Sequence, residues 1–293
     1  MTSDRVQSRK TEGVPTADTG ARGDRKTYPW LSVITPVKDA LPQLMRTWES
    51  LQSQDLAGVE WVIIDSSRDP QEVPSLLAGF PNVTYLWQAP QGIFGAMNRG
   101  ITESTGQYVY FLNAGDTLAG VDSLTALHEA LDRLGNPAWA FADVEMFDDQ
   151  GRPHVTSHWD YELEKSRSFA RGYFPCHQGT VVRATVLRSL GGFDTSYTVG
   201  GDYDLFLRLD TLYPGTKLPF TLARFEPGGM SSQEWLLGLR EFHRARRHRL
   251  APSGRRALIE RVDTVWFGGR TALYRTLWAP GRPLHGVVRR YRD

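Results

Sequence analysis

Tyr108-Val109-Tyr110-Phe111-Leu112-Asn113-Ala114-Gly115-Asp116 is the stretch on which the fold turns. Its first five residues are apolar or aromatic at every position, which predicts a strand covered on both faces, the situation of a parallel sheet. The Asn-Ala-Gly turn then stops the strand and ends in a carboxylate. An acid just past the carboxyl end of a buried strand points into the crevice where open α/β sheets bind ligands. Gly115 lets the backbone approach such a ligand closely. A second acidic site, Gly200-Gly201-Asp202-Tyr203-Asp204, opens what reads as an amphipathic helix far along the chain. A metal site and a distant base in one crevice are the parts of a transferase.

Upstream of this stretch, strands and helices alternate. Leu31 to Thr35 reads as a short buried strand stopped by Pro36, which has no amide to give a ladder. A helix is expected from about Pro42, with Leu44, Trp48 and Leu51 on one side, then a strand from Val59 to Asp65. A short helical segment near residues 73–78 leads to a strand from Val83 to Trp87. Gly92 to Ser104 reads as the next helix, and Gln107 to Leu112 as the fourth strand. This rhythm predicts a parallel sheet with right-handed crossovers. Downstream, Leu124, Leu127, Leu131 and Leu134 mark a helix face. Trp139 to Phe147 and Pro153 to His158 flank Asp148-Asp149-Gln150-Gly151, which predicts a hairpin. The expected class is therefore α/β, a mostly parallel sheet with a mixed second half.

Bulk properties fit that class. A chain of 293 residues with 40% apolar content can bury a sizeable core. Its net charge of +1 hides an asymmetry: residues 234–293 carry 14 Lys and Arg against 5 Asp and Glu, leaving 20 against 28 in residues 1–233. The single cysteine, Cys176, excludes an internal disulfide and a cysteine-rich zinc site. It reads as a small buried apolar residue. No long apolar run exists for a signal core or a spanning helix, so a cytoplasmic protein is expected. Residues 1–27 are polar and read as a flexible leader, residues 28–233 as the main domain, and residues 234–293 as a basic helical extension.

Each candidate residue carries two readings. Asp116 could bind Mg²⁺ or Mn²⁺, which take carboxylate oxygens together with substrate phosphates, or it could cap the helix that follows. Asp202 and Asp204 could both be ordinary acids at a helix start; two positions apart, only one of them can face a crevice. Asp65 ends its strand where an acceptor for a ribose or base would sit. Thr35 and Pro36 line the same sheet edge, and Asn98 is the polar residue of an otherwise packing helix. Gly92 to Gly100 does not match G-x-G-x-x-G, which argues against a dinucleotide site. His177 and Gln178 precede the strand at Thr180, and no second histidine stands at a zinc spacing.

In order along the chain, the segments LSVITPVKDA, EWVIIDSSRD, QGIFGAMNRGI, GQYVYFLNAGD, HQGTVVRATVLRSLGGFD, GGDYDLFLRL and PGGMSS resemble the A-type (GT-A) nucleotide-sugar glycosyltransferases of the family-2 kind, over about residues 30–232. The resemblance implies that the sheet is Rossmann-like, and it implies an inverting transfer from a nucleotide sugar, with UDP the family's commonest nucleotide, to a glycan, lipid-linked or small-molecule acceptor. It implies donor contacts from Thr35, Pro36, Asp65, Asn98 and Asn113, a Mg²⁺ or Mn²⁺ on Asp116, and Asp202 as catalytic base. His177 and Gln178 would stand near the acceptor, and Gly229 and Ser231 in a loop over the diphosphate. This chain departs from the pattern in two places. Asn113 and Gly115 stand where many relatives have acids, so Asp116 is the turn's only carboxylate, and Gly95 replaces a frequent acid.

A nucleotidyltransferase would need a basic, Gly-rich loop after the first strand, where Val37-Lys38-Asp39-Ala40 stands instead. A non-catalytic binding protein would be marked by loss of Asp116 or Asp202. Nucleic acid is not expected as a partner, because no recognisable module accompanies the basic tail. In that tail Trp235, Leu236, Leu239 and Phe242 alternate with Arg240, Arg244, Arg246, Arg247 and Arg249, and aromatic residues including Trp266 and Trp278 follow. Such a pattern suits either an anionic membrane surface or a helical cover packed on the domain.

Overall fold

Nine strands in one sheet, ordered β3-β2-β1-β4-β8-β6-β9-β5 with β7 beside β6, make up the frame of the computed structural model. It describes residues 28–69, 73–74, 77, 82–147, 153–156, 174–225 and 234–251, with scattered positions from 253 to 269. The expected leader, half of the segment at 73–78, Gly229, Ser231, Trp266 and Trp278 lie outside the described residues.

The parallel half consists of β1 (Leu31–Val37), β2 (Val59–Asp65), β3 (Val83–Trp87) and β4 (Tyr108–Phe111), joined by α1 (Leu41–Gln52) and α2 (Gly92–Glu103). β2 and β3 lie on one side of β1 and β4 on the other, all parallel. The strand order thus reverses between β1 and β4, and ligand crevices form at the carboxyl ends on either side of such a point. β2 is apolar nearly throughout because both faces are covered. Trp61 and Ile63 pack with Leu44 and Leu51 of α1, whereas Val62 and Ile64 pack with Phe94 and Met97 of α2.

The mixed half begins at β8 (Thr180–Arg183), which runs antiparallel to β4. β6 (Trp139–Phe147) pairs antiparallel with β8 and with β7 (Pro153–Thr156), and parallel with β9 (Thr216–Phe225). The two-residue β5 (Thr117–Leu118) closes the order beside β9. α3 (Ser123–Arg133) covers the α1 face, and α4 (Ala184–Ser189) with α5 (Gly201–Leu212) covers the α2 face. α6 (Trp235–Arg249) packs on α5.

Three expectations need correcting. β1 does not stop at Pro36, because it continues to Val37 with Pro36 in register with Ile64. Trp30 and Ile34 turn their carbonyls towards β4, and Val37 turns its own towards β2. The alternation puts the proline nitrogen on the β4 side, beyond Phe111, the last β4 residue in the ladder. The carbonyl that an amide there would have met, Leu112 O, accepts from Thr35 Oγ1 instead, so proline is tolerated. Leu134 is exposed, because the helix has already ended at Arg133. Finally, α5 is not amphipathic. Tyr203, Asp204, Leu205, Phe206, Leu207 and Leu209 are all buried, since α6 covers the side that would otherwise face water.

Candidate active site

The site is assembled on the turn after β4. Leu112 donates to Ile34 O, which carries the β4 pairing to the strand's end, and Asp116 N then donates to Asn113 O at 3.0 Å to close a tight turn. Gly115 takes φ +104°, a conformation that a side chain would strain. One hydroxyl from α1 pins the turn. Thr47 Oγ1 donates to Asp116 O at 2.8 Å and accepts from Gly115 N at 2.9 Å. Thr47 is polar at an inward position between Leu44 and Leu51, and that mismatch was the available sign of its role.

Asp116 is 5% exposed, and its charge, after burial, helps raise the Tyr110 phenol above its ordinary value. The Tyr110 hydroxyl donates to Gln178 O at 2.7 Å, tying the base of the turn to the segment entering β8. That segment is a single 3-10 turn, His177–Gly179. Because β8 runs antiparallel to β4, its beginning lies beside the end of β4. His177 Nε2 is 2.9 Å from Asn113 Nδ2, and His177 Nδ1 is 3.5 Å from Asp202 Oδ2. Asp202 Oδ1 accepts from Tyr203 N at 2.7 Å. The turn bearing Asp116 and the helix start bearing Asp202 therefore meet through one imidazole. The Asp202 carboxylate remains 21% exposed, within reach of a bound molecule. Cys176 feels both acids. Desolvation is the main cause that pushes its thiol up to about 12, and Asp116 and Asp202 add to the shift.

A divalent cation fits this turn. Asn113 Oδ1 is buried and has no hydrogen-bond partner among the described residues, an arrangement that costs free energy unless something binds it. An amide oxygen and a carboxylate from one turn are hard donors of the kind Mg²⁺ and Mn²⁺ take, with substrate phosphates completing the shell. No cluster of three or more His, Cys, Asp or Glu that could hold a metal occurs among the described residues. A cation here would thus depend on its ligand for much of its coordination.

The remaining candidates are placed as follows. Asp65 is fully buried: Oδ1 accepts from Ser67 N and Oδ2 from the Tyr85 hydroxyl, each at 2.8 Å. Burial, then the Asp65 carboxylate, raises the Tyr85 phenol far above its ordinary value and keeps it a donor. Thr35 Oγ1 donates to Leu112 O and accepts from Trp61 Nε1, so its hydroxyl serves the sheet. Asn98 uses both ends of its amide on the backbone of Phe193, each bond 2.8 Å. Gln178 is buried, and its Oε1 accepts a hydrogen bond from the Cys176 thiol. Of the two acids in α5, Asp202 faces the crevice. Asp204 is turned the other way, fully buried against Arg208 and Arg249.

The family model for glycosyl transferase family 2 matches residues 32–191, more than half of the chain and the whole strand-turn framework of the site. The chain belongs to glycosyl transferase family 2. An uncharacterized glycosyltransferase of Mycobacterium tuberculosis is 26% identical over 208 residues, covering 70% of this chain and 78% of the relative. A PGL/p-HBAD biosynthesis glycosyltransferase of Mycobacterium bovis is 25% identical over 186 residues, 61% of this chain and 69% of that one. Among solved structures, residues 1–349 of Staphylococcus aureus TarS superpose with TM-score 0.60 at 15% identity, covering 84% of this chain and 73% of that one. The mannosyltransferase PcManGT of Pyrobaculum calidifontis, in complex with GDP-Man and Mn²⁺, gives 0.59 at 16% identity, covering 87% and 77%. These likenesses establish the GT-A fold. As a family-2 glycosyltransferase the protein is an enzyme, and the crevice between the Asn113–Asp116 turn and the α5 start bearing Asp202 is its candidate active site.

Proposed function

We propose that this glycosyltransferase moves a sugar, with inversion, from a nucleoside-diphosphate donor to an acceptor hydroxyl, and that Asp202 is its base. The observation that carries the reading is the junction of the Asn113–Asp116 turn with Asp202 through His177. Asp202 takes the proton of the acceptor hydroxyl as that oxygen attacks the anomeric carbon. The bond from that carbon to the diphosphate oxygen breaks on the opposite face, and the nucleoside diphosphate leaves. Such assistance contributes about 10²–10⁴ in rate. Asp116, with Asn113 Oδ1, would hold Mg²⁺ or Mn²⁺. The chemistry such a cation would supply is compensation of the negative charge on the departing diphosphate.

UDP is the favoured nucleotide. TarS has been solved with UDP and with UDP-GlcNAc, whereas PcManGT was solved with GDP-Man, so a GDP-sugar is the alternative to test. Cell-envelope glycan or glycolipid synthesis is the favoured setting. One relative is named for PGL/p-HBAD biosynthesis, and another, 30% identical over 193 residues, is the O-antigen biosynthesis protein RfbC of Myxococcus xanthus, of which the match covers only 14%. Among the described residues no helix is long and apolar enough to cross a membrane. A lipid-linked acceptor would then be met by the protein at the inner membrane face, with exposed Arg240 and Arg247 available for anionic headgroups. Arg244 is instead stacked over Tyr197, Arg246 is buried and donates to Thr264 Oγ1 of the extension, and Arg249 is turned into the domain.

Release of nucleoside diphosphate from UDP-GlcNAc, UDP-glucose, UDP-galactose and GDP-mannose, with Mg²⁺ or Mn²⁺, tests the proposal. One donor should be turned over by the native chain, and Asp202→Asn should bind it but turn it over about 10²–10⁴-fold more slowly. Near-normal turnover by that variant would remove Asp202 from the mechanism.

A further inference from the structure

The basic extension enters the molecule through Glu241. This side chain is 6% exposed, and its carboxylate reaches the loop that opens α5. Oε1 accepts from Thr198 N at 2.9 Å, and Oε2 accepts from Val199 N and Gly200 N, both at 2.7 Å. Three consecutive amides thus converge on one carboxylate. They belong to the residues just before a helix, where amides have no partner from the helix itself. A negative charge at that end is also favoured by the helix dipole.

The two glycines before Asp202 record the closeness of this packing. A Cβ on Gly200 would stand 3.1 Å from both Glu241 Cβ and Phe242 Cδ1, and one on Gly201 would stand 2.6 Å from Phe94 Cε2. The chain entering Asp202 is therefore pressed between α6 on one side and α2 on the other. Beyond Asp202 the grip continues. Phe242 packs on the Tyr203 ring at 4.7 Å between centroids, and Arg249 holds Asp204 through Nε at 2.7 Å and Nη2 at 3.2 Å. α6 so contacts positions 198, 199, 200, 203 and 204, the residues on both sides of Asp202, and leaves Asp202 itself to the crevice.

We propose that Glu241 is a positioning residue for transfer: through the backbone of Thr198–Gly200 it sets where the Asp202 carboxylate stands, which makes α6 part of the active-site scaffold. The proposal rests on Asp202 being the base. Displacements of about 1 Å at a reacting group are enough to cost on the order of 100-fold in rate. On the proposed function the donor would be held from the β1–β4 side, so a loosened α5 entrance would affect the chemical step and spare donor binding.

The test uses the full chain carrying Glu241→Gln, which keeps the shape but turns an amide nitrogen towards backbone donors. With the donor selected by the hydrolysis screen, kcat should fall about 10- to 100-fold while donor KM stays within about twofold. In an Asp202→Asn background the same change should lower the residual rate by less than about twofold, because the group being positioned is already gone. Equal losses in both backgrounds would assign Glu241 a general structural role and overturn the proposal, as would native kcat. Hydrogen exchange supplies a readout independent of turnover. The amides of residues 198–200 should exchange faster in Glu241→Gln with α2 unchanged, and unchanged protection of those amides would equally overturn it. Should Glu241→Gln not fold, Arg249→Lys, which keeps the charge but loses the two-nitrogen grip on Asp204, is expected to show the same split of kcat from KM, and native kcat in it would defeat the proposal. Failure of the base reading itself is separate, since it appears as near-native turnover in Asp202→Asn alone.

Discussion

His177 presents Nδ1 to Asp202 Oδ2 at 3.5 Å while Asn113 holds its other ring nitrogen at 2.9 Å. Asn113 offers hydrogens from Nδ2, so Nε2 is the acceptor and the ring proton sits on Nδ1, facing the carboxylate. With Oδ1 bonded to Tyr203 N, both Asp202 oxygens are oriented from the protein side. His177→Ala removes one of these restraints and leaves the Asn113 amide unbonded. The expected result is a kcat lower by about 10- to 100-fold with little change in donor KM, read from steady-state nucleoside diphosphate release. A raised KM at native kcat would instead place His177 in substrate binding.

How far such a site can be read from sequence depends on whether its parts are local. β2 was legible to the residue because a doubly covered strand is apolar nearly throughout, and the edge strand β3 because its run is β-branched and aromatic. The positions of Asp116 and Asp202 at element ends were legible for the same reason. Their meeting was not, because it depends on β8 running antiparallel to β4 and so bringing His177 beside Asn113, a pairing of distant segments that no periodicity records. Asn98 illustrates the converse. A polar residue on a packing helix looked like a ligand contact, yet its amide is used on the backbone of Phe193, where Gly192 is so close that a Cβ would lie 2.4 Å from Asn98 Oδ1. Arginines of the tail posed a similar problem, since charge alone does not say which of them turn inward to Asp204.

The cation reading of the turn makes a separate prediction. Asp116→Asn removes the turn's only carboxylate and should lower donor turnover by about 10²-fold or more, as loss of a major electrostatic stabiliser does. Chelation of the native enzyme by EDTA should abolish turnover, and added Mn²⁺ or Mg²⁺ should restore it. Asn113→Ala, which deletes the unpartnered Oδ1, should raise the Mn²⁺ concentration needed for half-maximal rate. Full turnover in EDTA would exclude the cation.

Cys176 should be inert. With its thiol pushed up to about 12, the thiolate fraction at pH 8 is about 10³-fold below that of an ordinary cysteine. Iodoacetamide at pH 8 is expected to label the native chain far more slowly than the urea-unfolded chain, measured by intact mass. The sign of the linkage follows. A folded-state value raised above the unfolded one favours the folded state fully below the unfolded thiol value, and this contribution is lost as pH rises from there towards about 12.

Asp204 carries the largest expected stability effect. It is fully buried and shared by two arginines, Arg208 Nε at 2.9 Å from Oδ2 and Arg249 Nε at 2.7 Å from Oδ1. Arg208 is itself nearly buried and also donates to Leu190 O and Gly192 O, so it cannot swing out to water when its carboxylate is lost. Burial lowers its pKa and the Asp204 charge opposes that shift, which shows how much the guanidinium depends on this partner. Breaking a buried pair from one side costs about 3–5 kcal/mol, so Asp204→Ala should lower the melting temperature by roughly 10 °C in a chain of this size. Replacing the exposed Arg247 by Ala should change it by less than about 1 °C, as exposed charges contribute little. Differential scanning fluorimetry of the two variants separates an interior ion pair from surface charge. A loss of under about 2 °C in Asp204→Ala would show that α6 is not fastened to α5 through this carboxylate.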